Sequence, residues 1–287
     1  MKSDMSADTT YKELLKAGEN YLSDSGITES AADSFLLFSH VTGFHRADYF
    51  LKQDEAPTEA ERTEYRRLLL KRGQHIPLQY ITGEQEFMGL HFRVNESVLI
   101  PRQDTEILVE TALPYVEGKE VLDLCTGSGC IAVSLSVLGK TSGCVAVDIS
   151  KKALEVAQRN VEENLAEVLL AESDLFENVS GRFDIIVSNP PYIETKVVET
   201  LMEEVKGHEP HLALDGGEDG LSFYRRIISE SRTYLKENGM IFFEIGCEQA
   251  ASVSMLLRDA GFDDIVCRKD YAGLDRVVYG RIGGKRV

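Results

Sequence analysis

The segment 121-VLDLCTGSGCIA-132 decides the architecture. Val121 to Leu124 read as the end of a buried strand, and the residues from Cys130 on open a helix. Gly127 and Gly129 fall in the turn between them. A turn from a parallel sheet's first strand into its first helix is where a missing Cβ lets a ligand approach the backbone. The helix start there offers unpaired N–H groups. Downstream, candidate strands 144-CVAVD-148, 184-DIIVS-188, 240-MIFFEI-245 and 274-LDRVVYG-280 alternate with amphipathic stretches such as 150-SKKALEVAQRNVEENL-165. That alternation predicts an α/β fold, a mostly parallel sheet with helices on both faces. The last strand follows its predecessor so closely that an antiparallel insertion is expected.

Residues 1–75 read differently. In 29-ESAADSFLLFSHVTGF-44, Ala31, Phe35 and Phe38 recur at helical spacing, and Gly43 is the expected stop. In 57-PTEAERTEYRRLLLKRG-73, Thr58 and Glu61 make a capping box, Tyr65, Leu68 and Leu69 an apolar stripe, and Gly73 a left-handed end. A small N-terminal helical bundle is expected. Over 76–105, the alternation of Phe87, Leu90, Phe92 and Val94 around Gly89 predicts a β-hairpin linker, leaving 106–287 as the ligand-binding domain.

Composition narrows the function classes. No apolar run approaches the ~18 residues of a membrane span, and the polar N-terminus lacks a signal peptide's apolar stretch, so a cytosolic protein is expected. The five cysteines show no Cys-x-x-Cys spacing and read as free thiols, with no metal site. A net charge of −17 argues against a protein that grips nucleic acid through its phosphates.

Asp148 ends the strand after the glycine turn, where a carboxylate can accept both ribose hydroxyls of an adenosine. The Gly-x-Gly-x-x-Ala spacing by itself also fits a nicotinamide dinucleotide. Asp123 leans the other way. It would repel a pyrophosphate yet attract the cationic amine of an amino-acid tail, which S-adenosylmethionine has.

In 183-FDIIVSNPPYIET-195 a strand ends in Asn189-Pro190-Pro191-Tyr192. Proline fixes φ and disfavours helical geometry in the residue before it, so the corner is rigid. It is also short of donors and rich in carbonyl acceptors. The Asn189 side-chain oxygen and the Pro190 carbonyl suit the two hydrogens of a substrate –NH2, and Tyr192 suits its flat face. An amide nitrogen is a poor nucleophile, and fixed acceptors favour its pyramidal, partly positive transition state.

Together these residues resemble the class I (Rossmann-like) S-adenosylmethionine-dependent amino-methyltransferases that carry Asn/Asp-Pro-Pro-Tyr. The stretches 79-QYITGEQEFMGLHF-92, 97-SVLIPRQDTE-106 and 209-EPHLALDGGEDGLSFYRRI-227 narrow the resemblance to the peptide chain release factor glutamine methyltransferases. That family implies a helical N-terminal domain that recognises the release factor, a hairpin linker and a catalytic domain. It also implies methylation of the Gly-Gly-Gln glutamine amide in bacterial class 1 release factors, with S-adenosylhomocysteine as product. Carried over by position, Cys125, Thr126, Gly127, Ser128 and Gly129 would wrap the methionine end and Asp148 take the ribose. Asp174 or the Leu175 backbone would meet the adenine amine, and Asn189, Pro190, Pro191 and Tyr192 hold the glutamine. Cys125 replaces a common glycine, which is tolerable where φ is negative.

Other residues carry less. His208 and His211 lack a third metal ligand nearby. Asp215, Glu218 and Asp219 read equally as a solvated turn or as a lid or partner contact beside the site. Arg102 is expected to position Asp104 or Glu106. The competing functions are a nucleic-acid amino-methyltransferase, a nicotinamide oxidoreductase and a non-catalytic adapter. A monomer acting on a protein substrate, with no nucleic acid and no membrane, is the expectation.

Overall fold

A computed structural model describes residues 9–283. The outermost residues of the expected 1–75 and 106–287 domains, 1–8 and 284–287, lie outside the described residues. The chain forms two compact units, one running to Gly83 with Glu203–His208 added, the other Glu84–Met202 with the chain from Glu209 onward.

The first unit contains helices α1 (Tyr11–Asp24), α2 (Ser30–Thr42), α3 (Arg46–Lys52), α4 (Glu59–Arg72) and α5 (Leu78–Thr82). Capping boxes Thr10/Glu13 and Thr58/Glu61 start α1 and α4. Phe38 is the hub of the core, edge-on to Tyr11, Tyr49 and Tyr65. The buried face of α2 is Asp33, Ser34, Leu37 and Phe38, so Ala31 lies off the core. Asp33 can be buried because Arg72 Nε donates to it at 2.6 Å. Burial alone would depress the Arg72 pKa, but Glu204 at 2.5 Å and Asp33 more than offset it. Removing Arg72 would strand the buried Asp33 carboxylate, at a cost of about 3–5 kcal/mol.

Gly43 ends α2 left-handed as expected, whereas Gly73 is right-handed (φ −65°) and His75 (φ 60°) reverses the chain. Packing explains Gly73, because a Cβ there would lie 2.7 Å from the Tyr21 hydroxyl. Helix α5 occupies residues expected to begin the hairpin linker. The hairpin itself is shorter, β1 (Glu84–Phe87) and β2 (Leu90–Arg93).

The second unit continues with α6 (Gln103–Val116), β3 (Glu120–Leu124), α7 (Cys130–Gly139), β4 (Gly143–Asp148), α8 (Lys151–Glu163), β5 (Leu169–Glu172) and β6 (Phe183–Ser188). The chain then runs through α9 (Thr195–Val198), α10 (Glu203–His208, part of the first unit), α11 (Ser222–Tyr234), β7 (Leu235–Glu244), α12 (Ala250–Asp259), β8 (Phe262–Lys269) and β9 (Asp275–Ile282). The seven-stranded sheet has the order β5-β4-β3-β6-β7-β9-β8. β9 is antiparallel to β7 and β8, and the other paired strands run parallel. Two apolar clusters cover the sheet. One takes Val121, Val187 and Phe242 with Ile107 and Ile131; the other takes Leu122, Ile186 and Phe243 with Tyr224 and Leu257. Truncating a buried phenylalanine such as Phe242 would cost about 3–5 kcal/mol.

Candidate active site

The chain leaves β3 for β4 and β5 on one side, then returns to β6 on the other, so β3 and β6 flank the point where strand order reverses. Ligands bind beyond the strand ends at such a point. Leu124 pairs with Ser188, and Ser188 Oγ donates to the Leu124 carbonyl at 2.7 Å. The glycine turn and the Asn-Pro-Pro-Tyr corner therefore leave adjacent strands at the same level. A cavity of about 300 Å³ opens there, lined by both and by Pro101, Arg102, Ile149, Phe223 and Arg226. That volume is at the lower end for small-molecule sites.

Cys125, Thr126, Gly127, Ser128, Asp148, Asp174, Leu175, Asn189 and Pro191 line this cavity; Asp123, Gly129, Pro190 and Tyr192 do not. Gly127 (φ 56°) and Gly129 (φ 80°) use conformations open to glycine. A Cβ on Gly127 would meet nothing within 4 Å, while one on Gly129 would lie 3.2 Å from the Ala157 Cβ. The first glycine keeps ligand space clear and the second lets α8 approach. Asn160 of α8 pins the turn, its Nδ2 donating to the Ser128 carbonyl at 2.8 Å.

Cys125 overturns one expectation, since its φ is +60°. The turn places Thr126 N–H on the Val147 carbonyl at 3.0 Å, and residue 125 adopts the left-handed conformation on the way. A side chain there costs about 1–2 kcal/mol. Burial pushes its thiol pKa well up, so it is no thiolate nucleophile.

Asp123 stands behind the turn. It is fully buried, one oxygen accepts from Thr126 Oγ1 at 2.6 Å, and among the described residues Oδ1 has no hydrogen-bond partner. Burial pushes its pKa up to about 7. Asp148 accepts from the Gly127 N–H and the Ser150 N–H, both at 2.9 Å, one bond to each oxygen. Each oxygen keeps acceptor capacity for a hydroxyl. Burial raises the Asp148 pKa, and those backbone bonds oppose it.

Leu175 is left-handed (φ 52°), and its carbonyl accepts from Ser173 Oγ at 2.8 Å. Among the described residues its N–H donates to nothing, which suits an adenine ring nitrogen. The Asp174 carboxylate, paired with Arg226 at 2.9 Å, suits the amine. An adenosine with a cationic tail fits this donor and acceptor set, including the buried acceptor of Asp123.

At the corner, Asn189 Nδ2 donates to Thr105 Oγ1 at 3.3 Å. Its Oδ1 and the Pro190 carbonyl accept no hydrogen bond among the described residues. The Tyr192 ring packs into the core beside α11, and its hydroxyl points to Glu244 Oε1 at 3.4 Å. It is thus a brace for the corner and forms no part of the cavity wall. The acidic loop is a second brace. Asp215 Oδ1 accepts from Thr195 Oγ1 at 2.7 Å and from Gly217 N–H at 2.9 Å. Gly216 N–H donates to the Ile193 carbonyl at 2.8 Å, and a Cβ on Gly216 would lie 2.6 Å from Tyr192 Cα. Gln249 Nε2 donates to the Tyr192 carbonyl at 3.0 Å. Arg102 pairs with Glu209, while Asp104 pairs with Arg276 and Glu106 accepts from Met88 N–H, so Arg102 positions neither. Among the described residues, no cluster of three His, Cys, Asp or Glu is placed to hold a metal.

No sequence motif singles out Thr105, Asn160, Glu244 or Gln249. Only Glu244 carries a signal: like Asp123, it is a carboxylate at the end of a buried apolar strand.

The strand order and the cavity at the ends of β3 and β6 define a class I methyltransferase. Residues 102–218 match the methyltransferase small domain, and residues 13–83 match the PrmC N-terminal domain. A methyltransferase from Pyrococcus furiosus shares the fold, with a TM-score of 0.55 at 19% identity over 69% of this chain and 91% of that one. So does the Thermus thermophilus 16S rRNA N2 G1207 methyltransferase in complex with AdoMet and guanosine, with a TM-score of 0.51 at 19% identity over 70% and 50%. In sequence, the release factor glutamine methyltransferase of Geobacter sulfurreducens is 43% identical over 96% of this chain and 97% of its own. That of Clostridium acetobutylicum is 44% identical over 88% and 91%, and that of Bacillus subtilis 38% over 94% and 96%. The chain belongs to the release factor glutamine methyltransferase family.

Proposed function

We propose that this protein methylates the side-chain amide nitrogen (N5) of the glutamine in the Gly-Gly-Gln motif of bacterial class 1 peptide chain release factors. The methyl donor is S-adenosylmethionine, and S-adenosylhomocysteine is the product. The carrying observation is the Asn189 carboxamide, whose donor end is satisfied within the protein, set beside a glycine turn on the adjacent strand of one cavity.

When bound, S-adenosylmethionine supplies an electrophilic methyl group on a sulfonium. The protein's own groups do the rest. Asp148 accepts the ribose hydroxyls, and Leu175 N–H and Asp174 meet the adenine. Gly127 and Ser128 leave room along the turn, with Thr126 and Cys125 beside them and Gly129 setting the helix against it. Asp123 supplies negative charge behind the cationic tail. Asn189 Oδ1 and the Pro190 carbonyl accept the two amide hydrogens of glutamine, orienting the nitrogen lone pair. Both acceptors strengthen their hold as positive charge grows on that nitrogen, which is differential transition-state binding. The nitrogen turns acidic as its new bond forms, so its proton can leave from those acceptors to water without a strong base. Pro191 shapes the wall, and Tyr192 braces the corner from behind.

The helical unit, with the domain boundaries taken from the sequence, is the surface that selects the factor, because one tetrapeptide cannot single out one glutamine in a proteome. Phe50 and Leu51 of α3 are 66% and 84% exposed, an unusual investment of apolar area in so short a helix. Replacing both by serine should raise KM for the intact factor and leave cofactor affinity unchanged. The protein acts as a monomer in the cytosol, where its substrate meets ribosomes. Among the described residues no helix is long and apolar enough to cross a membrane.

Mass spectrometry of a purified release factor incubated with this protein and S-adenosylmethionine tests the activity. One added methyl is expected on the Gly-Gly-Gln peptide. A factor that stays unmodified there, or gains the methyl on another peptide, would overturn the proposal.

A further inference from the structure

An asparagine carboxamide has two ends of nearly equal size and opposite chemistry. Only one sense of Asn189 serves the reaction, since Oδ1 can accept an N–H of the substrate amide and Nδ2 would oppose it. Something must choose. Residues 121, 187 and 242 share one face of the sheet with α6, and strand alternation places Asn189 and Glu244 on that same face. Thr105 of α6 is buried there and receives Asn189 Nδ2 at 3.3 Å. The Thr105 hydroxyl also favours the charged form of Glu244, which is buried and, among the described residues, has one oxygen without a hydrogen-bond partner.

We propose that Thr105 and Glu244 are a positioning pair that fixes the sense of the Asn189 carboxamide, holding its nitrogen inward and its oxygen toward the cavity. Once ionised, the Glu244 carboxylate only accepts, so the single Thr105 proton turns to Glu244 and the hydroxyl lone pairs face Asn189. The asparagine end that meets them must then be the donor, Nδ2. In the opposite sense Oδ1 would face lone pairs, or Thr105 would take its proton away from a buried carboxylate. Either is costly where no water can substitute. Tyr192, at 3.4 Å from Glu244 Oε1, keeps that carboxylate in place. Neither Thr105 nor Glu244 needs to touch the substrate, so both act through Asn189.

This inference rests on the reading that Asn189 holds the reacting amide, and the experiment separates the two. Steady-state methylation of the release factor is compared for Thr105→Val, Thr105→Ser, Glu244→Gln and Asn189→Ala. Thr105→Val keeps the shape and loses the hydroxyl, so kcat should fall about tenfold or more while KM for S-adenosylmethionine stays within about twofold. Thr105→Ser restores the hydroxyl and should recover most of kcat, a rescue that a packing role for the lost methyl would not give. Glu244→Gln offers a donor as well as an acceptor to Thr105, frees both senses of Asn189, and should lower kcat about fivefold or more. If Thr105→Val fails to fold, Glu244→Gln decides by the same readout. Retained kcat in Thr105→Val and Glu244→Gln, with Asn189→Ala inactive, would overturn the positioning pair and leave the role of Asn189 standing. Retained kcat in Asn189→Ala would overturn both.

Discussion

The two turns that meet at the cavity are built from opposite materials. After β3 the chain passes through three left-handed residues, Cys125, Gly127 and Gly129, and offers ligand space with backbone amides around it. After β6 it passes through two buried prolines, which carry no N–H, and offers oxygen acceptors. One turn receives a ligand by leaving Cβ atoms out; the other receives one by leaving N–H groups out. Each also hides a fully buried carboxylate behind it, Asp123 behind the glycine turn and Glu244 behind the corner. Burial pushes both pKa values up to about 7. Under the proposed function the difference implies a division of labour, in which the first turn sets affinity for the methyl donor and the second sets the rate at the acceptor.

The largest expected effect breaks the second turn alone. Asn189→Ala should cost ~10²-fold or more in kcat, the usual loss for a transition-state contact, with cofactor affinity near normal by calorimetry. A loss of cofactor affinity matching the loss of rate would end the division of labour.

Adding one methyl group to each region gives a matched pair of tests. Alanine at Gly127 puts a Cβ into open space, so the fold survives at about 1 kcal/mol of left-handed strain. The cavity narrows where the ligand approaches, and the cofactor Kd should rise about tenfold. Alanine at Gly216 drives a Cβ to 2.6 Å from Tyr192 Cα and 2.8 Å from the Pro191 carbonyl oxygen, which forces the corner to shift. There kcat should fall about tenfold while Kd for the cofactor holds. Titration of the two variants with S-adenosylhomocysteine, beside their turnover numbers, checks whether the effects separate in this way.

How much of this was legible in the sequence depends on burial. β3, β4 and β6 were readable because interior parallel strands are apolar throughout. β5 (169-LLAE-172) and β8 (262-FDDIVCRK-269) were not: both lie at sheet edges, where β5 is only four residues long and the charged residues of β8 face water and erase the pattern. Helix α5 falls inside the expected hairpin linker because five residues are too few to show a helical period. At the site, the glycines and prolines announced themselves through backbone chemistry. Thr105 and Gln249 did not, because their roles come from contacts across the sequence, with Asn189 and Tyr192. The acidic loop is open to two readings for a related reason: Asp215 and Asp219 satisfy local amides and Arg225, which composition alone cannot distinguish from solvation.

The paired carboxylates give a smaller test by pH. A carboxyl whose folded pKa is raised favours the folded state when protonated, so its stabilisation is full below its unfolded pKa. It is lost as pH rises through about 7. The ligand-free protein should therefore lose on the order of 3 kcal/mol per group between pH 4 and pH 8. Thermal unfolding across that range should show a slope that Asp123→Asn and Glu244→Gln each reduce. The regions should differ once the cofactor binds. In the proposed binding mode its cationic tail would lie on the Asp123 side, so binding near pH 7 should release a proton that Asp123→Asn abolishes and Glu244→Gln does not. Calorimetry in two buffers of different ionisation enthalpy reads that proton. Release that survives Asp123→Asn would remove Asp123 from the tail.

The smallest effect concerns Cys125, the one left-handed residue of the glycine turn that is not glycine. Cys125→Gly removes about 1–2 kcal/mol of backbone strain. It also frees the unfolded chain, which returns about 0.5–1 kcal/mol, and it gives up the packing of a buried sulfur. The balance lies within about 1 kcal/mol of zero, so the melting temperature should move by only a few degrees in either direction. Cofactor affinity is the sharper readout, because Cys125 lines the cavity and its removal widens the turn. A turn that binds by leaving Cβ atoms out should tolerate the loss of one more, with Kd changing less than about threefold. A large loss of affinity would mean that the Cys125 side chain itself shapes the ligand site, and the contrast between an empty turn and a filled corner would no longer hold.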